Sequence, residues 1–137
     1  MWRWGLALVA LAVVSACGAG PEPGSGPAGA ADKAVREYID VRNSGDLRAM
    51  LGKSCEGLYS STDNLLRLND EERQDTVRAM REHPVTVDSV TVDKSEKNVI
   101  RATMTGSANT ESGKQTASQH VEIRQYRDGY RICEMKP

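Results

Sequence analysis

The chain has 137 residues, which is enough for one domain and too few for two domains of ordinary size. Its formal net charge is −1, so it lacks the basic excess that neutralises phosphates, and we expect no nucleic-acid partner. Phenylalanine is absent and both tryptophans precede residue 5, so four tyrosines are the aromatic residues left for a core. This composition excludes a core built on large aromatic side chains.

The first sixteen residues predict a secretory signal. Arg3 gives a positive start, residues 5–14 form an apolar run, and Ser15 and Ala16 are small residues that a signal peptidase accepts. An apolar helix of this length rises only about 15 Å, half the hydrocarbon thickness of a bilayer. The run is therefore too short to serve as a stable transmembrane span.

The residues Val14-Ser15-Ala16-Cys17 resemble the bacterial lipobox, in which small residues precede an obligatory cysteine. The resemblance implies that Cys17 carries a diacylglyceryl group and becomes the first residue of the mature chain. A plain secretory signal with an incidental cysteine is the alternative. Because two or more acyl chains, such as palmitate, anchor a protein stably, we expect a lipoprotein on the extracytoplasmic face of the cell membrane.

Residues 17–32 are interpreted as the lipidated cysteine followed by a flexible tether. The stretch after Cys17 is rich in glycine and proline and contains no large apolar residue. We therefore expect a single folded domain over residues 33–137, with Asp32 as the N-cap of its first helix.

Two cysteines remain, Cys55 and Cys133. An exported chain is in an oxidising compartment, so we expect these two residues to form one disulfide, with two free thiols as the alternative. In the chain-entropy model, closing so long a loop stabilises the fold by about 4–5 kcal/mol. The disulfide would compensate for the small core.

The helices come first along the chain. Apolar residues recur at helical spacing over residues 34–39, and this helix ends at Gly45 in a left-handed conformation. Asp46 can cap a second helix at once. A short helical segment over residues 65–68 follows, and Asn69 starts the last helix with capping-box spacing.

After residue 84 the apolar period changes to two, which predicts about four antiparallel strands. Valines at positions 85 and 87, then 90 and 92, reverse the phase and predict a β-bulge near Asp88 and Ser89. We expect the segment 107–115 to be a flexible, exposed link between the middle strands.

The last hairpin fits two registers. A two-residue loop would pair Arg127 with Tyr130, whereas a three-residue loop would pair Tyr126 with Tyr130. Only the second register lets Cys133 face a helix bearing Cys55 together with its apolar neighbours. We favour the second register.

Helices followed by an antiparallel meander predict an α+β fold, with N-terminal helices packed on a curved sheet of about four strands. With "AVREYIDVRNSGDLRAML" near its start and "DGYRICEMKP" at its end, the chain resembles the small exported nuclear-transport-factor-2-like (cystatin-like) lipoproteins of actinobacteria. The resemblance implies a conical cleft between helices and sheet, and it implies no single activity.

The sequence carries no pattern typical of catalysis or metal binding. His83 and His120 are far apart, and the serines lack a Gly-x-Ser-x-Gly elbow. Tyr38 and Asp40 are candidate acid–base residues, but two positions apart they lie on different helix faces. We expect a protein that is not an enzyme and that holds no cofactor or metal.

Six residues of the last two strands share the sheet face opposite the helices in the favoured register. Tyrosine, isoleucine and arginine suit an interface, so this face is a candidate surface for an envelope protein or for self-association. A solvated face with cross-strand ion pairs is the alternative. The six residues are His120, Glu122, Arg124, Tyr126, Tyr130 and Ile132.

These observations predict a non-catalytic binding or accessory module of the cell envelope. One alternative is a carrier that holds a small apolar or lipid ligand in the cone, which would need a cavity lined by residues such as Val35, Ile39, Leu51 and Met104. A small lyase or isomerase is another alternative, and it needs a buried carboxylate or histidine in the same cone.

Overall fold

A computed structural model describes residues 26–137, which form an α+β fold. Within these residues, four helices precede a four-stranded antiparallel sheet of order β1-β2-β3-β4 that does not close on itself. The α+β class and the four-stranded meander are therefore confirmed. The elements are α1 (Gly26–Ser44), α2 (Leu47–Gly52), α3 (Glu56–Leu66), α4 (Asp70–Glu82), β1 (Val85–Glu96), β2 (Val99–Thr110), β3 (Gly113–Tyr126) and β4 (Gly129–Lys136).

Helix α1 begins six residues before the predicted N-cap. The tether prediction is therefore wrong over residues 26–32, and Asp32 lies inside the helix, where it accepts a hydrogen bond from Arg36 at 3.0 Å. Small side chains explain the early start, because Gly29 and Ala31 are buried and let the helix pack closely on its neighbours. The predicted signal, Cys17 and the tether up to residue 25 lie outside the described residues.

The other helix boundaries follow the local sequence signals. Gly45 has φ +73°, and a Cβ there would lie 2.6 Å from the Cγ1 atom of Val77, so the left-handed C-terminal glycine is confirmed. Asp46 accepts a backbone hydrogen bond at 3.0 Å, and Asn69 accepts one from Glu72 at 2.9 Å. All helices within residues 26–137 are too short or too polar to cross a bilayer.

The pairing of β1 with β2 contains the predicted bulge. The register shifts between Val87 and Ser89, so the valines on both sides of the shift pack towards the core. The prediction of a flexible link over residues 107–115 is wrong, because β2 and β3 stay paired out to Thr110 and Gly113. A two-residue turn is all that separates these strands.

The β3–β4 hairpin follows neither predicted register throughout. Gly129 pairs with Tyr126, which leaves Arg127 and Asp128 as the loop. In this register Ile132 pairs with Ile123. A shift between Ile123 and Glu122 follows, and the favoured register holds only beyond this bulge. The extra residue at this bulge is Cys133, and the bulge allows the neighbouring Ile132 and Cys133 both to be buried.

Cys55 and Cys133 lie at disulfide distance, with their Cα atoms 4.3 Å apart, as predicted. Two backbone hydrogen bonds lie beside this link: Cys55 donates to the carbonyl of Ile132, and Ile132 donates to the carbonyl of Lys53, each at 2.9 Å. The connector between α2 and α3 is thereby fixed along the edge of β4 that β3 leaves free, and it protects that edge.

Removing the disulfide should lower the stability of the fold. We expect the Cys55→Ala, Cys133→Ala double variant of the full chain to lose about 2–5 kcal/mol of unfolding free energy, because its unfolded state is less constrained. Urea unfolding followed by circular dichroism measures this loss. Cys17→Ser is the control and should keep the wild-type midpoint. A double variant with the wild-type midpoint would contradict the prediction.

Candidate functional site

An apolar cavity of about 460 Å³ lies between the helices and the inward face of the sheet. Each of the eight described elements contributes at least one residue to its wall. Helix α3 supplies Leu58, Thr62 and Leu65, while β3 supplies Ala117 and Gln119 from the opposite side. The cavity thus forms only when the whole domain is assembled.

Four methionines line this cavity. The chain has five methionines, and all except Met1 face this space, each from a different element. Methionine is unbranched and polarizable, so it adapts to irregular contents better than branched side chains do. The four residues are Met50, Met80, Met104 and Met135.

Small residues on the sheet keep the cavity open. Gly106, Ala108 and Ala117 lie in its wall where larger side chains would fill the space. At Gly106 an added Cβ would come within 3.2 Å of the Thr86 carbonyl oxygen, so β1 itself closes off that position. The helices therefore cross over a part of the sheet where these small side chains leave the cavity unfilled.

Tyr38 and Thr62 form a buried polar pair in the cavity wall. Their exposed fractions are 5% and 2%, and Thr62 lies close enough to Tyr38 to influence its pKa. Thr62 also donates to the carbonyl of Leu58 at 2.9 Å. Burial raises the pKa of Tyr38, while the side chain of Thr62 and the positive charge of Arg42 offset part of that rise.

Arg42, one helical turn after Tyr38, also lines the cavity and is half-buried. Its Nη1 atom donates to the carbonyl of His83 at 2.9 Å and to Oδ1 of Asn43 at 3.1 Å. Burial lowers the pKa of Arg42, and the neighbouring Tyr38 acts in the opposite direction. The guanidinium remains charged at neutral pH because an arginine pKa lies so far above 7.

A second depression, of about 790 Å³, lies at the other end of the domain near the start of α1. Five of its six charged residues take part in ion pairs: Lys53 contacts Glu37 at 3.2 Å, Lys33 contacts the same carboxylate at 3.8 Å, and Arg131 contacts Asp128 at 2.9 Å, whereas Lys97 has no such contact within residues 26–137. Most charged residues of this larger depression therefore already have a partner within the protein. The methionine-lined cavity is the better candidate for a ligand.

The structure brings together four of the six residues predicted for the partner surface. His120, Glu122, Arg124 and Tyr126 alternate with buried residues of β3 and share its outward face. Two assignments are wrong, because the observed register turns them inward: Ile132 is only 1% exposed in the core, and Tyr130 packs against the core.

Charged contacts cover this outward face. Arg124 bonds to Glu122 at 2.9 Å and also contacts Glu56, and the guanidinium of Arg131 lies 4.7 Å from the ring centre of Tyr126. These are the interactions expected of a solvated face with ion pairs. The partner surface stays a prediction, now restricted to residues 120–126 of β3.

The residues predicted to line a carrier cavity divide into two groups. Ile39 and Met104 do line it, whereas Val35 is 1% exposed within the packed core and Leu51 lies outside the lining. Sequence reasoning missed Arg42, although its spacing from Tyr38 places it on the same face of α1. No local sequence pattern predicts that α4 and β4 contribute residues to the cavity wall, because their positions there arise from long-range packing.

Of the acid–base candidates, Tyr38 lies in the cavity wall and Asp40 is exposed on another face of α1. The described part of the cavity lining contains no carboxylate and no histidine. Within residues 26–137, no three histidine, cysteine or acidic side chains cluster in a way that could hold a metal ion.

No protein-family model matches the chain, and no curated protein matches it. The inference of function therefore rests on the geometry and chemistry of the cavity.

The raised pKa of Tyr38 predicts a loss of stability at alkaline pH. In the unfolded chain this tyrosine ionises near pH 10, while the folded chain keeps it protonated to higher pH. Its contribution is fully present below about pH 10 and is lost as the pH rises through the folded-state pKa. Tyr38→Phe should therefore lose less stability than the wild type between about pH 9 and pH 11.

Urea midpoints across this pH range provide the measurement, with tyrosinate absorbance as a direct readout of ionisation. Tyr126→Phe is the matched control for loss of one phenol hydroxyl, because this residue is 39% exposed and lies outside the core. Equal alkaline slopes for Tyr38→Phe and the wild type would show that Tyr38 does not cause the decline.

Proposed function

We propose that this chain is a non-catalytic binding module that holds a small apolar molecule in its methionine-lined cavity. The cavity carries the proposal: its volume of about 460 Å³ falls within the range of about 300–1,000 Å³ that is typical of small-molecule sites. Such sites combine mostly apolar walls with a few convergent polar groups. Here Tyr38, Thr62 and Arg42 are among those groups, and the other polar residues of the lining are Ser61, Ser107, Gln115 and Gln119.

Water in such a cavity finds few hydrogen-bond partners, so an apolar ligand gains free energy by displacing it. Each buried methylene contributes about 0.8 kcal/mol, and eight of them contribute about 6 kcal/mol before the cost of association. Because methionine side chains adapt their shape, the walls would accept chains of differing length. A carrier or ligand-sensing accessory role suits these properties.

The finer fold assignment belongs to the same proposal. Helices packed on one face of an open antiparallel sheet, with a cavity between the layers, support a nuclear-transport-factor-2-like (cystatin-like) domain. The resemblance implies a conical cleft between helices and sheet, and the methionine-lined cavity would correspond to that cleft.

The proposed location is the extracytoplasmic face of the cell membrane, with Cys17 as the lipid anchor. Residues 18–25 span at most about 30 Å, so an anchor at Cys17 would keep the domain close to the bilayer. The lipobox-like residues before Cys17 and the pairing of the other two cysteines support this address.

Filling the cavity should weaken ligand binding while the fold remains intact. Ala117→Met adds a long side chain to the wall at an exposed position, and we expect it to weaken binding of a neutral naphthylamine dye by about tenfold or more. The dye's fluorescence is measured with the full chain in lipid nanodiscs, with empty nanodiscs subtracted.

Thr116→Met is the matched control, because this exposed neighbour lies on the opposite face of β3 and its change should leave dye affinity unaltered. Thermal unfolding of both variants checks that the fold is kept. Dye binding that is undetectable in the wild type, or equal in both variants, would contradict a ligand cavity.

Lipidation can be tested independently of the cavity. Cells fed an alkyne-bearing palmitate should incorporate it into the wild-type chain, and Cys17→Ser should remove the label and release the chain from the membrane fraction. The Cys55→Ser, Cys133→Ser double variant is the control that retains Cys17 and should keep the label. An unlabelled wild-type chain would contradict the anchor.

A further inference from the structure

Arg42 is the charged residue in the described lining of the cavity, and it has no carboxylate partner among residues 26–137. Six other described arginines do have one, such as Arg36 with Asp32 and Arg124 with Glu122, and the four that do not are exposed to solvent. The positive charge of Arg42 therefore meets only neutral carbonyl and amide oxygens within the described protein.

The donors of Arg42 are unevenly used. All of its hydrogen bonds to described residues come from Nη1, which leaves Nε and Nη2 without a protein acceptor in that part of the chain. Every fully buried side-chain nitrogen or oxygen within residues 26–137 has a partner, so these two atoms are not fully buried. Nε and Nη2 are the edge of a guanidinium that binds carboxylates in a bidentate manner.

A half-buried cation in an apolar wall is unfavourable unless a counter-charge compensates it. Burial already lowers the pKa of Arg42, which shows that the charge is partly desolvated. Because the described wall provides one cation and no second one, it matches a ligand with one negative charge. A phosphate monoester, which carries nearly two charges, would remain only partly neutralised.

We propose that the ligand is a single-chain amphiphile of the fatty-acid class, with its carboxylate on Nε and Nη2 of Arg42 and its alkyl chain among the methionines. This inference rests on the proposed function and names the ligand class for the same cavity. Tyr38, one turn away, presents an aromatic ring beside the bound carboxylate end, and Met50, Met104 and Met135 surround the chain.

Dodecanoic acid, dodecanol and dodecyl phosphate are the probes that test the charge requirement. Each probe is added to the full chain in nanodiscs at pH 8, and its displacement of the neutral naphthylamine dye is measured. The partitioning of each probe into empty nanodiscs is measured separately. We expect the acid to bind at least about tenfold more tightly than the alcohol, as one charge-assisted bidentate pair can provide. The phosphate should bind no more tightly than the acid.

Two variants then test whether Arg42 causes the preference for the acid over the alcohol. Arg42→Gln should make acid and alcohol bind equally, whereas Arg42→Lys should keep part of the preference for the acid, because it retains a positive charge without the planar pair of donors. Arg48→Gln is the control, since Arg48 is exposed and outside the cavity. Urea midpoints establish that each variant is folded.

The outcomes separate this inference from the function on which it rests. Equal binding of acid and alcohol by the wild type would overturn the inference and leave an apolar cavity intact. Tighter binding of the phosphate, or a preference that survives in folded Arg42→Gln, would also overturn the carboxylate assignment. Failure of all three probes to displace the dye would overturn the proposed function together with the inference.

Discussion

The link between Cys55 and Cys133 is the constraint on which the cavity depends. Helix α3 has one fully buried residue, Thr62, and its leucines that line the cavity, Leu58 and Leu65, are only partly buried, so its own packing leaves it less firmly held against the sheet. An apolar wall held only by burial tends to collapse onto the opposite wall, because collapse removes more surface from water. The covalent link and the two backbone bonds of Ile132 fix the start of α3 at the edge of β4. The disulfide thus allows the domain to stay hollow.

The amino-acid composition determines which side chains line the cavity. With no phenylalanine in the chain and both tryptophans near its start, the large flexible residues available to the domain are methionines. Methionines from four elements meet small residues of β2 and β3, so space remains that rigid aromatic rings would have filled. The lack of a dense aromatic core, which the sequence indicated as a weakness, is what makes this cavity adaptable.

Local signals predicted the parts of the fold that depend on neighbouring residues. Asp46 and Asn69 cap helices, Gly45 ends one, and the phase of the valines gives the bulge near Asp88, because each depends on a few consecutive residues. The start of α1 was missed, since burial of Gly29 and Ala31 depends on distant partners. The hairpin register was missed because a bulge at Cys133 can offset a shifted loop. Arg42 lies in the same cavity wall as the methionines only because of long-range packing, which no local sequence signal predicts.

The proposed ligand class and the proposed location at the membrane are physically consistent with each other. Arg42 lies sixteen residues after Gly26 on a continuous helix, so α1 can place it up to about 24 Å from its own start. With an anchor at Cys17 and α1 directed away from the bilayer, a ligand would have to leave the bilayer to reach the guanidinium. A single acyl chain binds membranes only marginally and exchanges readily, whereas two chains hold a lipid in place. A one-chain carboxylate is therefore the amphiphile that such a cavity can capture and release.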